Sequence, residues 1–153
     1  MGRHSCSFEE QISLAAVRSI DAFRAGNNTQ LLSYFAPDAT LYYHGQSANI
    51  PTLIPFAGTF QGQAGIINFL TLVGLYNTPL VVSPVRDAIC ACYQVYLTLD
   101  ITGAPKNGSV VGTSQTLTYV AHFTFNQCAQ ISRLDLFTNT TDLALFFQAN
   151  PVV

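Results

Sequence analysis

The sequence has little charge, no tryptophan and a single methionine. Only 9% of its 153 residues are Asp, Glu, Lys or Arg, compared with about 25% in ordinary soluble domains, whereas 49% are hydrophobic. The six Lys and Arg residues are scattered and form no basic stripe, which argues against a nucleic-acid partner. The surplus of apolar surface predicts a pocket, a subunit interface, or both.

Membrane-directing segments are also missing from the sequence. No apolar run approaches the roughly 20 residues that a membrane helix requires, and no charged segment followed by an apolar one opens the chain. The first six residues lack the Ser or Thr that a myristoylation motif has at position 6. We therefore predict no membrane partner and a cytoplasmic location.

The four cysteines provide no recognisable metal or disulfide framework. None of Cys6, Cys90, Cys92 and Cys128 has C-x-x-C spacing, and Cys90 and Cys92 have the spacing of neighbours on one face of a strand. The sequence also contains no glycine-rich phosphate-binding loop. We predict that the protein uses neither a metal nor a cofactor.

Helical spacing of apolar residues dominates the first half of the chain. A capping box at Ser7–Glu10 predicts the start of a helix that ends at Gly26. Asn28 is predicted to cap a second, short helix, and a third is predicted over residues 62–74. Residues 46–56, which include two prolines, are predicted to form a loop.

Strand spacing with a period of two dominates the second half. Apolar or aromatic residues occupy the odd positions of Ile89–Ile101 and most odd positions of Gln115–Phe125, and the turn-rich residues between them predict a hairpin. Shorter strands are predicted at Ala39–His44 and Gln130–Phe137. Helices followed by strands, without βαβ alternation, favour an α+β fold with a mainly antiparallel sheet. Long strands in so small a domain must bend, which gives the sheet a hollow side.

Three stretches resemble one superfamily. Residues Ile20–Thr40 resemble the opening of SnoaL-like and ketosteroid-isomerase-like proteins of the nuclear-transport-factor-2-like (NTF2-like) superfamily, Phe56–Phe69 is similar to their strand-to-helix passage, and Ala121–Phe137 to their closing hairpin. The resemblance covers about residues 12–138. It implies a conical barrel, in which a curved, mainly antiparallel sheet wraps three N-terminal helices and encloses an apolar pocket. We predict a single such domain over residues 1–153, flexible in residues 1–7 and ending in a tail over residues 139–153.

The catalytic residues of ketosteroid isomerases are not reproduced. The resemblance places Tyr43 at the position of their general-base Asp, and Ser19 and Ala121 at the positions of their two oxyanion donors. That mechanism is therefore not predicted here. Because the same fold serves several enzyme classes and non-catalytic assembly domains, the function has to be argued from the site itself.

Asp135 is the leading candidate for acid–base catalysis. It matches the last carboxylate of the Asp–Arg–Asp set of limonene epoxide hydrolases, whose other two positions fall on Tyr93 and Val95. If Asp135 faces the hollow side, its apolar surroundings raise its pKa into a useful range, and Arg133 beside it binds an anionic or carbonyl ligand. In the alternative, the two leucines of this strand face inward and Arg133 and Asp135 form a solvated pair on the outer face.

Aromatic residues with inward parity complete the predicted site. The hydroxyls of Tyr43, Tyr93 and Tyr119 can donate to a carbonyl or enolate oxygen, and we predict Tyr43 and Tyr93 to be catalytic and Tyr119 to bind the substrate. The predicted aromatic lining consists of Phe23, Phe60, Phe69, Phe123 and Phe137. The alternative for each is an ordinary core position. The same parity places His44 and His122 on the outer face.

The leading hypothesis is a cofactor-independent enzyme. It would act on a small apolar carbonyl, polyketide-like or terpenoid-like compound by isomerisation, cyclisation, dehydration or hydration. The alternatives are a protein that binds such a ligand without converting it and an assembly module whose chamber is filled by side chains. A cavity below about 300 Å³, the lower limit of ordinary ligand pockets, favours the assembly module. The weakly charged outer face of the sheet predicts a homodimer.

Overall fold

A computed structural model describes the backbone of residues 2–44 and 53–152, and the side chains within those ranges from Phe8 onward. Most of the loop predicted at residues 46–56, and the side chains of the segment predicted to be flexible, lie outside the described residues. The helices are α1 (Gly2–Arg24), α2 (Asn28–Ser33), α3 (Gly62–Leu75) and α4 (Thr141–Ala149). The strands are β1 (Phe35–His44), β2 (Gly58–Gln61), β3 (Val81–Val82), β4 (Asp87–Ala91), β5 (Gln94–Gly103), β6 (Lys106–Asn107), β7 (Val110–Val111), β8 (Gln115–Phe125) and β9 (Ile131–Phe137).

The helices follow the predicted pattern with shifted ends. In α1, Ile12, Ala16 and Ile20 are buried at helical spacing, but the helix begins at Gly2, so the start predicted from the capping box is wrong. The N-cap of α2 is Asn27, whose Oδ1 accepts a hydrogen bond from the Gln30 backbone N–H at 3.1 Å. None of the described helices is long and apolar enough to cross a membrane.

A seven-stranded mixed sheet forms the other half of the structure. Its order is β2-β1-β9-β8-β5-β3, with β4 also paired to β5. The β1–β9 pair is parallel and the other pairs are antiparallel. The curved sheet is not closed, because its end strands β2 and β3 do not pair with each other among the described residues. The predicted curved, mainly antiparallel sheet is therefore confirmed, as an open sheet rather than a closed barrel.

The predicted long strand at Ile89–Ile101 is two strands. A tight turn at Cys92–Tyr93 joins β4 to β5, so that Ala91 pairs with Gln94, and Tyr93 has a left-handed φ of 58°. Ile89, predicted to be buried, is 66% exposed. The sequence predicted one strand because the alternation of apolar and polar residues continues through the turn, which lacks the Gly or Asn usual in such hairpins.

The core lies between the inner face of the sheet and helices α1 to α3. Along β8 the predicted alternation is confirmed, since Tyr119, Ala121 and Phe123 are buried and Thr118 is exposed. The predicted tail is largely the helix α4, which docks on the core. Its buried residues are Leu143, Ala144 and Phe147.

Candidate functional site

A cavity lies between the inner face of the sheet and the helices. Its volume is about 100 Å³, which is below the usual lower limit of about 300 Å³ for ligand pockets. By the criterion given above, this volume favours the assembly module. It is also smaller than the engineered apolar cavity of about 150 Å³ that binds benzene, so the enclosed space holds at most about one ring of a larger ligand. The polar residues in the lining are Ser19, Tyr43, Asn77, Gln115 and Tyr119, and no Asp, Glu, His, Lys or Arg among the described residues lines the cavity.

Two tyrosines provide the main polar feature of the wall. Tyr43 on β1 and Tyr119 on β8 are both buried, and their hydroxyl oxygens lie 2.7 Å apart. The Tyr43 ring packs edge-on against Phe56, with ring centroids 5.4 Å apart, and is tilted against Phe69 at 6.1 Å. The aromatic packing therefore fixes the position of the hydroxyl pair within an apolar enclosure.

Burial determines the protonation of this pair. Desolvation raises the pKa of Tyr43 well above its usual value, and the charge of Tyr119 and its hydrogen bond with Tyr43 add to the increase. Desolvation also raises the pKa of Tyr119 to about 12, against the opposing effect of its hydrogen bond with Tyr43. Both phenols are therefore neutral near pH 7 and act as hydrogen-bond donors rather than bases.

The predicted aromatic residues fall into three groups. Phe23, Phe69 and Phe123 line the cavity, although their predicted roles in binding stay predictions. Phe60 is a core residue outside the lining, and its ring packs against Phe69 at 5.1 Å. Phe137 lies on the outer face and is 43% exposed, so its predicted place in the lining is wrong.

Asp135, the predicted acid or base, lies on the opposite side of the sheet from the cavity. In the parallel β1–β9 register, Tyr43 is beside Leu136 and Tyr42 is beside Asp135. Because neighbouring strand residues share a face, Leu136 turns inward with Tyr43 and Asp135 turns outward with Tyr42. Arg133 also lies on the outer face. The predicted inward orientation of Asp135 and Arg133 is therefore wrong. The alternative is correct in placing both residues on the outer face, but Asp135 is not solvated, because it is only 3% exposed.

On the outer face, Asp135 is enclosed by two basic side chains. Its Oδ1 lies 2.7 Å from His44 Nε2, and Arg133 donates to both carboxylate oxygens, at 2.8 and 3.1 Å. The Arg133 guanidinium lies 4.1 Å from the centre of the Tyr42 ring. Desolvation alone raises the pKa of Asp135, but the hydrogen bonds and charges of Arg133 and His44 outweigh it and lower the pKa. The predicted upward shift is therefore wrong.

Tyr93 is also remote from the cavity. It occupies the β4–β5 turn, is half-exposed, and packs on Phe8 of α1 with ring centroids 5.1 Å apart. Its predicted catalytic place beside Tyr43 is wrong, because the turn removes it from the face that the strand alternation assigned to it. Among the described residues, no group of three or more His, Cys, Asp and Glu side chains is arranged to hold a metal ion.

Three polar lining residues were not predicted as part of the pocket. Ser19 donates to the Ala16 carbonyl oxygen at 2.7 Å, a bond within its own helix. Asn77 follows the end of α3 and Gln115 begins β8, so both lie at element ends, where an amide side chain usually indicates a cap or a turn. The sequence carries no signal that these two ends meet at one cavity.

Comparisons with known proteins confirm the fold. No protein-family model matches the chain, and no curated protein matches it in sequence. Among solved structures, TerC co-crystallised with polyporic acid is 20% identical, with a TM-score of 0.74 over 90% of this chain and 98% of that one. An NTF2-like protein of Burkholderia pseudomallei K96243 is 16% identical, with a TM-score of 0.76 over 90% and 97%. A candidate SnoaL-like polyketide cyclase of Jannaschia sp. CCS1 is 18% identical, with a TM-score of 0.71 over 95% and 96%.

The protein therefore has the NTF2-like fold. This agrees with the α+β prediction and with the resemblance seen in the sequence, including the order of helices and strands. At these identities the likeness extends to the fold alone, and the chemistry must come from the residues of this chain.

Proposed function

We propose that the protein binds a slim apolar molecule carrying a carbonyl or similar acceptor oxygen, and that the Tyr43–Tyr119 pair holds and polarises that oxygen. The observation that carries the proposal is the hydroxyl pair on the wall of an otherwise apolar cavity. The two phenols have two protons between them, and their mutual hydrogen bond uses one. Because the described residues offer these hydroxyls no further acceptor, the second proton is free for a ligand or a water molecule.

The lining limits the chemistry that the cavity supports. One neutral phenol, which accepts a hydrogen bond from the second, can donate to a carbonyl oxygen and stabilise it as negative charge develops, but abstraction of a carbon-bound proton needs a base. The described lining contains no carboxylate or imidazole, so acid–base catalysis by Asp135 is not proposed. Ligand binding with carbonyl polarisation fits better than a complete acid–base mechanism.

The names of the structural neighbours support the ligand class. TerC was co-crystallised with polyporic acid, and several other neighbours are named as candidate polyketide cyclases. We therefore propose a polyketide-like or other aromatic carbonyl compound as the ligand. The small cavity restricts it to a slim molecule or to part of a larger one that extends through the opening.

Replacing both tyrosines with phenylalanine should abolish selection for the carbonyl group. Isothermal titration calorimetry compares butylbenzene with benzylacetone, which has a similar shape and a ketone oxygen. In the Tyr43→Phe/Tyr119→Phe protein, we expect the affinity ratio of benzylacetone to butylbenzene to fall about tenfold relative to wild type, the upper range for a neutral hydrogen bond. Removing both partners together leaves no unpaired hydroxyl, so the double variant should fold normally.

Tyr96→Phe is the matched control, because it removes a hydroxyl from the outer face, where Tyr96 bonds Gln94 at 3.2 Å. It should leave the affinity ratio unchanged. Equal ratios in wild type and the double variant would reject the tyrosine pair as the oxygen-binding site, and no binding of either compound to wild type would reject the ligand-binding proposal.

The outer face of the sheet supports a second proposal, a homodimer. The strand register places Val120 between Thr98 and Phe137, and Tyr96 stacks on the neighbouring His122 with ring centroids 4.2 Å apart. Val120, Phe137 and Tyr96 are all exposed hydrophobic residues. A second copy of this chain fits such a face, because a twofold contact brings identical patches together.

Val120→Lys should weaken this dimer. Each copy then places an ammonium group within the apolar patch, where its burial is costly, and we expect the dimer dissociation constant in sedimentation equilibrium to rise at least about tenfold. Val81→Lys adds the same charge at an exposed position of β3 and should have no effect. A wild-type protein that stays monomeric at high micromolar concentration would overturn the dimer proposal.

A further inference from the structure

The cavity has a polar end besides the tyrosine pair. Along the inner face of β8, Tyr119 and Gln115 are four residues apart, or about 13 Å of strand, with Leu117 between them. The residue opposite Gln115 is Gly103 at the end of β5. Two backbone hydrogen bonds hold the chain around Asn77 to this same end: Thr78 N–H to Ala104 O at 2.8 Å and Lys106 N–H to Tyr76 O at 2.9 Å.

The burial of the lining residues points to this end as the mouth of the cavity. Gln115, Leu117 and Leu80 are only partly buried, whereas residues around the tyrosine pair, such as Phe56 and Leu99, are fully enclosed. A ligand that enters here reaches the tyrosines with its leading group and leaves its trailing group at the mouth. The tyrosine pair and the polar residues at the mouth therefore contact opposite ends of one ligand molecule.

The Asn77 side chain offers an acceptor at this position. The residue is only 8% exposed, and its Nδ2 donates to the Val73 carbonyl oxygen at 2.9 Å, whereas its Oδ1 accepts no hydrogen bond from any described residue. No described side-chain polar atom is both fully buried and unpaired. Oδ1 therefore keeps some accessible surface, and Asn77 lines the cavity.

We propose that Asn77 and Gln115 form a second recognition site, which binds a hydroxyl or N–H donor at the trailing end of the ligand. This inference rests on the proposed function and narrows its ligand to a carbonyl compound with a hydrogen-bond donor at the far end of an apolar body. Asn77 Oδ1 accepts from that donor. Gln115, whose carboxamide has no partner among the described residues, supplies a further acceptor or donor beside it.

Three ligands test the proposal in wild type by isothermal titration calorimetry: benzylacetone, para-hydroxybenzylacetone and para-methoxybenzylacetone. The hydroxyl should increase affinity about three- to tenfold over benzylacetone, the range for one neutral hydrogen bond. The methoxy group accepts but cannot donate, and should give no increase. Equal gains from hydroxyl and methoxy, or no gain from the hydroxyl, would overturn the proposal.

Variants assign the effect to the two side chains. Asn77→Leu should remove the hydroxyl gain, and Gln115→Leu should reduce it, where the gain is the ratio of the affinity for para-hydroxybenzylacetone to the affinity of the same variant for benzylacetone. Gln127→Leu, in the exposed turn between β8 and β9, is the control and should retain the full gain. A full gain in both Asn77→Leu and Gln115→Leu would overturn the assignment.

The two proposals fail in different ways. If the tyrosine pair does not bind the carbonyl, benzylacetone loses its advantage over butylbenzene. If only the mouth site is wrong, that advantage persists and the hydroxyl adds nothing. Should Asn77→Leu not fold, because it also loses the bond to Val73, the comparison of hydroxyl with methoxy in wild type still decides the proposal.

Discussion

Asp135→Asn lowers the free energy of unfolding by about 2 kcal/mol at neutral pH, the scale of hydrogen bonds to charged groups, although the residue is remote from the cavity. Only 5% of the carboxylate side chain is exposed, beneath His44 and Arg133. An asparagine there presents an amide N–H₂ to the donors of Arg133 in place of a second acceptor oxygen. Urea unfolding followed by far-UV circular dichroism measures the loss.

The effect should depend on pH. The pKa of Asp135 is lower in the folded protein than its ordinary value, so its ionised form stabilises the fold above the unfolded-state pKa of about 4. That contribution is lost as the pH falls through the lower folded-state pKa. The difference between wild type and Asp135→Asn should therefore shrink as the pH falls below about 4.

Asp100→Asn is the matched control for this prediction. Asp100 also pairs with an arginine on the outer face, Arg86, at 3.1 Å, but 29% of its side chain and 49% of the Arg86 side chain are exposed. Screening by solvent should limit its effect to less than about 1 kcal/mol. Equal losses in the two variants, or a difference for Asp135 that does not change below pH 4, would show that the enclosed carboxylate has no special role in stability.

Phe147→Ala should destabilise the protein by about 3–5 kcal/mol, the usual cost of truncating a buried phenylalanine. The Phe147 side chain is fully buried, and its ring contacts those of Phe56, Tyr76 and Phe146 at centroid distances of 6.2, 6.0 and 5.0 Å. This loss is a large part of the roughly 5–15 kcal/mol that stabilises an ordinary domain. The same urea titration measures it.

Leu145→Ala on the same helix is the control, because Leu145 is 56% exposed, and it should change stability by less than about 0.5 kcal/mol. Comparing Phe147→Ala with Leu145→Ala separates the stability that comes from docking of α4 from the stability that comes from its helical propensity. If Phe147→Ala costs no more than Leu145→Ala, the helix does not dock on the core in solution, and residues 139–153 are a tail after all.

Much of the fold followed from local patterns. Apolar spacing predicted the three N-terminal helices and the inward residues of β8, because these depend on periods of 3.6 and two within one segment. The turn-rich residues between the strands predicted the antiparallel pairing of β5 with β8. The order of elements was enough for the α+β class. The break at Cys92–Tyr93 escaped prediction because its residues do not disturb the alternation.

The site depended on contacts that local patterns do not contain. The sequence alone indicated an apolar chamber with Tyr43 and Tyr119 on inward positions, because strand parity assigns each side chain to a face. Both parities of β9 carry apolar residues, so only its register beside β1 decided that Leu136 faces the cavity and Asp135 the outer surface. The placement of Asn77 and Gln115 in one lining was likewise decided by tertiary structure, since these residues are 38 positions apart and both reach the cavity through the end of β5, which bonds the chain around Asn77 and pairs with the start of β8.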